Sequence, residues 1–305
     1  MELPSIADQL DLAPELRLAS YTFREEFGHA PMGVWQAPGM VTLLADGAER
    51  LRVAAPWGSI VAAEPRSDGM VEPRHVNRPG ERMPLSVEEA AAGLGPQWGR
   101  DGLRAARTGA TLLAATDLPD GSGIGATAAT QTAIALALRD LAEDGAGGLS
   151  CPAGDELSGF PAGTARLGGQ QFPCDLAAAG LRLMVIDTRV RGVPRPAVPE
   201  VAPLDRAADV LATGDLAALG PLLTSAHAAA MCHEAQEAAV SAAVRAGALG
   251  ARMIVDGPGR PVCALVPTAR LAQVRAEVVA EFDRRQRRAP RFLTFTPTAG
   301  PRRAA

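Results

Sequence analysis

Residues 118–130, LPDGSGIGATAAT, hold the densest set of groups that could bind a ligand. Gly121, Gly123 and Gly125 free the backbone to turn several N–H groups toward one point. A helix starting just beyond them would aim its positive end at the same place. The preceding ATLLAATD reads as a strand, and AATQTAIALALRDLAED as a helix with Ile134, Leu138 and Leu141 on one face. Strand, glycine loop and helix suit a phosphate cradle, and equally a plain strand-to-helix turn; spacing alone does not choose. HAAAMCHE offers His227, Cys232 and His233, but offsets of five and six place them on different helix faces, which argues against a metal centre. Cys151, Cys174, Cys232 and Cys263 form no C-x-x-C pair and read as free thiols.

The elements that must position these groups follow from pattern. DLAPELRLASYTFREEFG reads as a helix, and VWQAPGMVTLLADGAERLRVAAPWGSIVAAEP as strands cut by Pro and Gly. Residues 66–85 are polar and proline-containing, a loop or edge, and 86–110 are helical with a glycine break. Residues 144–173, rich in Gly and Pro, read as the passage between two halves. Beyond it come a buried strand in LRLMVIDTRV and helical stretches broken near Gly220 and Pro221. A strand–turn–strand in ARMIVDGPGRPVCALVP, a helix and a last strand, RFLTFTP, complete an α+β layout.

A chain of 305 residues, 47% hydrophobic and 21% charged, is long enough for two domains with cores of their own. No run of eighteen apolar residues predicts a membrane span, and MELPSIADQL lacks the basic start of a signal peptide, so a cytoplasmic setting is expected. The charge of −4 and the lack of a basic, aromatic-laced stripe argue against nucleic acid as a partner. All thirty basic residues are arginine. Without lysine, the usual P-loop NTPase and Schiff-base chemistries are excluded.

Several segments, in order and over nearly the whole chain, resemble galactokinases of the GHMP small-molecule kinase superfamily. APGMVTLLADGAER (37–50) aligns without gaps on the family's APGRVNLIGEHTDY, and LPDGSGIGATAA is similar to its phosphate-binding PxGxGLxSSAA. GFPAGTARL (159–167) resembles GVPTGVLDQ, AGALGARMIVDGPGRPVCALVP resembles GARMTGGGFGGCVIALVP, and TPTAG resembles the PSAG ending. The resemblance implies a two-domain α+β fold with a nucleotide and substrate cleft between its halves. Residues 1–176 would carry the phosphate loop and sugar motif, and 177–305 would form the C-terminal domain. It further implies that Pro119, Gly121, Gly123 and Gly125 wrap the phosphates of ATP, with the Thr127 hydroxyl helping to hold Mg²⁺.

The positions of the chemistry depart from the family. Its first-motif Arg is Met40 here, and its Asp beside the reacting hydroxyl is Arg166, a charge reversal that removes a proton acceptor. The sugar-binding Glu, His and Asp correspond to Asp46, Gly47 and Glu49. In VDGPGRP only Gly257 and Gly259 survive from a run of glycines, and Asp187 in VIDTRV reads as structural. Arg166, Asp46 and Glu49 are therefore the candidate catalytic set. The expected activity is transfer of the ATP γ-phosphate to a hydroxyl of an unusual sugar or cyclitol, not galactose. A catalytically inactive ligand-binding or regulatory relative, and a fold recruited for non-kinase chemistry, are the competing expectations.

Overall fold

The structure, a computed structural model, describes residues 13–118, 123–145, 159–191, 202–228, 233–254, 256 and 259–305. Helix α1 (Pro14–Phe27) leads into β1 (Gly33–Asp46) and β2 (Glu49–Arg66), a long antiparallel hairpin turned at Gly47 with φ +55°. The polar stretch that reads as a loop or edge forms β3 (Met70–His75) and β4 (Leu85–Ser86) at one end of the same sheet, followed by α2 (Val87–Ala91) and α3 (Arg100–Leu103). Val71, Pro73 and His75 alternate inward, while Glu72 and Arg74 pair with each other on the outside and Arg66 joins Glu72. The charged residues hid a period of two. Strand β3 runs parallel to β5 (Gly109–Thr116).

Helix α4 (Ala126–Gly145) lies on this sheet. Ala110, Leu112 and Ala114 of β5 meet Ala133, Ile134, Ala137 and Leu138 of the helix. Leu113, on the other face, packs with Leu16 and Phe23 of α1. Both faces are covered, which is why β5 reads as a continuous apolar run. Strands β6 (Thr164–Leu167) and β7 (Gln170–Pro173) form a hairpin in the segment read as a passage, and β6 pairs with the first half of β2.

The second sheet has the order β11 (Arg291–Phe295), β8 (Leu181–Asp187), β10 (Val262–Pro267), β9 (Gly250–Met253), all antiparallel. Its alternation decides its layers. Met184, Ile186, Val262 and Ala264 face α7 (Glu234–Arg245) and α8 (Leu271–Arg284). Leu183, Val185, Cys263 and Leu265 join α5 (Leu204–Thr213), α6 (Leu219–Ala228) and the β1–β2 residues Val41, Leu44, Leu51 and Val53 in one core spanning both sheets. The chain breaks at Gly214 rather than at Gly220–Pro221, which lie in the first turn of α6; Pro is tolerated there because that N–H has no intrahelical partner. The C-terminal β12 (Arg302–Arg303) returns to pair with β1. Among the described residues no helix is long and apolar enough to cross a membrane.

Burial settles several titratable groups. Cys174 and Cys263 are free, and burial pushes each thiol up to about 12, so neither is a nucleophile near neutral pH. Cys151 and Cys232 lie outside the described residues. Asp187 is structural: Arg191 donates to both of its oxygens at 2.8 and 2.9 Å, and the Arg189 N–H adds a third bond. Burial works against this carboxylate, but those bonds outweigh it and hold its pKa below the usual range.

His227, 6% exposed, accepts the Met253 N–H at Nδ1, so neutral imidazole donates from Nε2 to Glu237 at 3.0 Å. Burial lowers its pKa despite the pull of Glu237. The unfolded chain then takes up the proton first, so the stability this group contributes is full above about pH 6.5 and is lost as pH falls through the folded value. The urea midpoint should therefore drop between about pH 7.5 and 5.5, and His227→Gln should flatten that part of the profile. An identical slope in the variant would refute the assignment.

Candidate functional site

The start of the glycine loop is fixed by short bonds. Asp117 Oδ1 accepts the Gly58 N–H at 2.7 Å, Thr116 Oγ1 donates to Gly58 O, and the Leu118 N–H reaches Thr116 Oγ1. Burial raises the Asp117 carboxyl pKa, partly offset by the Gly58 bond. Gly123 and Gly125 both lie in the left-handed region, at φ +81° and +83°. A Cβ at Gly123 would come within 2.7 Å of Pro261 Cδ and 2.8 Å of Asp256 O. One at Gly39 of β1 would meet Ile124 O at 2.6 Å, so the loop is held between β1 and the 256–261 segment. Gly125 O accepts the Ala129 N–H, which starts α4, and Thr127 is exposed in its first turn. Pro119 and Gly121 lie outside the described residues.

A cavity of about 340 Å³ opens beside that first turn, with Ala128, Ala129 and Thr132 of α4 on one wall. The β1–β2 hairpin supplies Met40, Glu49, Arg50 and Arg52; β6 supplies Arg166. The ladders explain why these meet. Thr42, Arg52 and Arg166 are direct partners across β1, β2 and β6, so their side chains leave one face, and Arg50 is two residues from Arg52 on the same face. Two extra β2 residues opposite Pro38–Met40 bulge the ladder there. Arg166 is only 8% exposed, its guanidinium 5.3 Å from the centre of the Phe160 ring. Arg166 and Glu49 thus reach one cavity. Asp46 pairs with Glu49 at the exposed hairpin end and is not among the described lining residues.

The two sheets are joined next to this cavity. A bulge between Thr42 and Leu44 takes Leu43 out of the regular ladder, and Leu43 O accepts Arg252 Nη1 at 3.1 Å. Arg252 is fully buried and also donates to Met253 O. Asp256, from the degenerate third motif, accepts a hydrogen bond from Thr42 Oγ1 and lies 3.6 Å from Arg50 Nε. Arg260 of the same segment is buried at φ +38°, with its carbonyl accepting from Gln236. Gly257 and Pro258 lie outside the described residues. Arg50, Arg52, Phe160 and Thr132 were not singled out by motif, although the R-x-R alternation of ERLRV marks Arg50 and Arg52 as sharing a strand face.

The exposed first turn of α4, entered through the left-handed Gly123 and Gly125, fits a nucleotide phosphate. Among the described residues no group of three or more His, Cys, Asp or Glu could hold a metal.

The family described as GHMP kinases C terminal matches residues 207–284. The galactokinase of Streptomyces coelicolor is 28% identical over an alignment of 374 residues, covering 92% of this chain and 96% of that protein. The galactokinase of Mycobacterium tuberculosis is 44% identical over 90 residues, 26% of this chain and 24% of that protein. Among solved structures, Lactococcus lactis galactokinase complexed with galactose superimposes with a TM-score of 0.76 at 16% identity, covering 94% of this chain and 99% of that one. Methanococcus jannaschii mevalonate kinase gives 0.54 at 12% identity, covering 88% and 99%. Along nearly its whole length the chain is thus similar to galactokinases in sequence and in fold, and its residues 207–284 match the C-terminal family of GHMP kinases.

Proposed function

We propose that the protein is a small-molecule kinase that transfers the γ-phosphate of ATP to a hydroxyl of a sugar-like or cyclitol-like acceptor other than galactose. The observation that carries this reading is the cavity itself: the first turn of α4, where a nucleotide phosphate would sit, faces Arg166 across a space of substrate size. The phosphate loop and sugar motif belong to residues 1–176, and 177–305 complete the cleft. The acceptor oxygen attacks the γ-phosphorus, ADP leaves, and the hydroxyl proton passes to Glu49 or to water. Arg166 supplies the cation that Met40 does not, which suits a reaction governed by positioning and charge more than by a formal base. ATP with Mg²⁺ would supply the transferred group and neutralise its charge.

One observation favours an inactive relative instead. Glu49 is the sole carboxylate among the described cavity residues, and it is exposed at a turn. Calorimetric titration with a slowly hydrolysed ATP analogue, with and without Mg²⁺, followed by a screen of hydroxylated acceptors for phosphorylated product, separates the two. The kinase reading expects micromolar, Mg²⁺-dependent binding and a phosphorylated product, with galactose unreacted. Nucleotide binding without product would leave a binding protein, and no binding at millimolar nucleotide would remove both the cradle and the kinase.

A further inference from the structure

We propose that the protein carries a second ligand site, between α1 and the first sheet, for a small amphipathic amine. Its apolar body would fill a gap under the helix, and its ammonium group would meet Glu15 and Asp117.

The gap follows from side-chain size along the strands. On the sheet face away from α4, Leu113 of β5 and Ala62 of β2 are opposed and pack with Leu16 and Phe23 of α1. Two residues on, toward the glycine loop, the next opposed pair is Ala115 and Ile60, and on β2 the row then ends in Gly58. Glu15, Leu18, Ala19 and Thr22, at i, i+3, i+4 and i+7, give α1 one face over this stretch, with another alanine at its middle. A cavity of about 440 Å³ remains, larger than the one beside Arg166. Leu18 and Val76 line it while staying 64% and 45% exposed, so apolar surface lies bare where a ligand would cover it.

Charge decides which ligand. Glu15 and Asp117 line this cavity together, and neither makes an ion pair among the described residues. Asp117 uses Oδ1 to accept the Gly58 N–H at 2.7 Å, which leaves Oδ2 for a ligand. Burial and the like charge of Glu15 both raise the pKa of Asp117, against the pull of the Gly58 bond. A cation held between the two carboxylates offsets that repulsion with charge-assisted hydrogen bonds. Arginines of the neighbouring strands are engaged elsewhere: Arg302 donates to Gln36, and Arg74 and Arg82 both meet Glu26. The site is separate from the phosphate cradle. It lies on the α1 face of the sheet, whereas α4 covers the other, so the proposal stands whether or not the protein is a kinase.

The test is calorimetric titration of the full chain, near neutral pH, with one ring system in different charge states: tryptamine, tryptophol and indole-3-acetate. Tryptamine should bind about 10-fold or more tighter than tryptophol, with indole-3-acetate weakest. Glu15→Gln should weaken tryptamine by about threefold or more, a modest loss because Glu15 is exposed, and leave tryptophol within about twofold. Ala19→Leu fills the gap from a helical position that leucine favours, and should weaken tryptamine and tryptophol alike by about 10-fold or more. Thermal midpoints no lower than that of the parent report that both variants are folded. Tryptamine affinity should be the same with and without the ATP analogue. Displacement by the analogue would put the amine in the nucleotide site and overturn the proposal. Equal binding of all the probes, or tryptamine binding indifferent to Ala19→Leu, would overturn it too. Failure of the analogue to bind removes the kinase reading alone.

Discussion

Replacing Arg166 with methionine should lower kcat/KM for phosphoryl transfer by about 10²- to 10³-fold, with ATP-analogue affinity changed less than about threefold. Methionine keeps an unbranched apolar stem of similar reach and removes the guanidinium that lies over Phe160, so the loss reads out the cation. The magnitude is that of removing one preorganised donor to developing charge, about 3–4 kcal/mol, and it is undiluted because Arg166 is nearly excluded from water. Arg166→Lys should recover a fraction, since a point charge meets the phosphoryl oxygens without the guanidinium fork. A fall in kcat with KM steady would place the effect in the transition state. Turnover indifferent to Arg166→Met would take the cation out of the chemistry, leaving nothing to compensate for Met40.

The Arg166 position was legible because a short segment aligns without gaps, and a charge reversal at one residue can be read from a motif. The cavity around it was not. Arg52 reaches Arg166 through a β2–β6 ladder spanning more than a hundred residues of sequence, while Phe160, six residues before Arg166, comes from the same segment. No local period carries such pairings. Local pattern found β5 and α4, whose apolar residues repeat at the spacing of their own elements. It read β3 only as a loop or edge, because the charged Glu72 and Arg74 alternate with the inward Val71 and Pro73. It also misplaced the helix break, because Gly and Pro punctuate a chain only where the backbone bonds they disrupt would otherwise form.

Asp256 shows how a segment that reads as damaged can still make specific contacts. The substitutions in VDGPGRP remove glycine freedom, yet Asp256 bonds to Thr42 and lies beside Arg50. Gly123 packs against its backbone, and Arg252 fastens the neighbouring strand to the Leu43 bulge. The third segment therefore acts as a wall behind the glycine loop.

That wall makes Gly123→Ala a damaging methyl for the site to receive. The left-handed φ of +81° costs an alanine about 1–2 kcal/mol before any contact is considered. The new Cβ would also stand 2.8 Å from Asp256 O and 2.7 Å from Pro261 Cδ, a backbone atom and a ring that no rotamer change can move. Overpacking of this kind costs a further ~1–3 kcal/mol, so either the loop or the wall must shift. A shift of either disorders the N–H groups that would meet phosphate, and analogue affinity should fall by about 30-fold or more with a lower thermal midpoint. Gly125→Ala shares the strained φ of +83° but meets Met40 N only at 3.4 Å, so its loss should be smaller. Gly80→Ala, with nothing within 4 Å, should be silent. The order Gly123, Gly125, Gly80 in both affinity and thermal midpoint is the expected result. Equal analogue binding by all three variants would mean that the glycine loop is only a strand-to-helix turn.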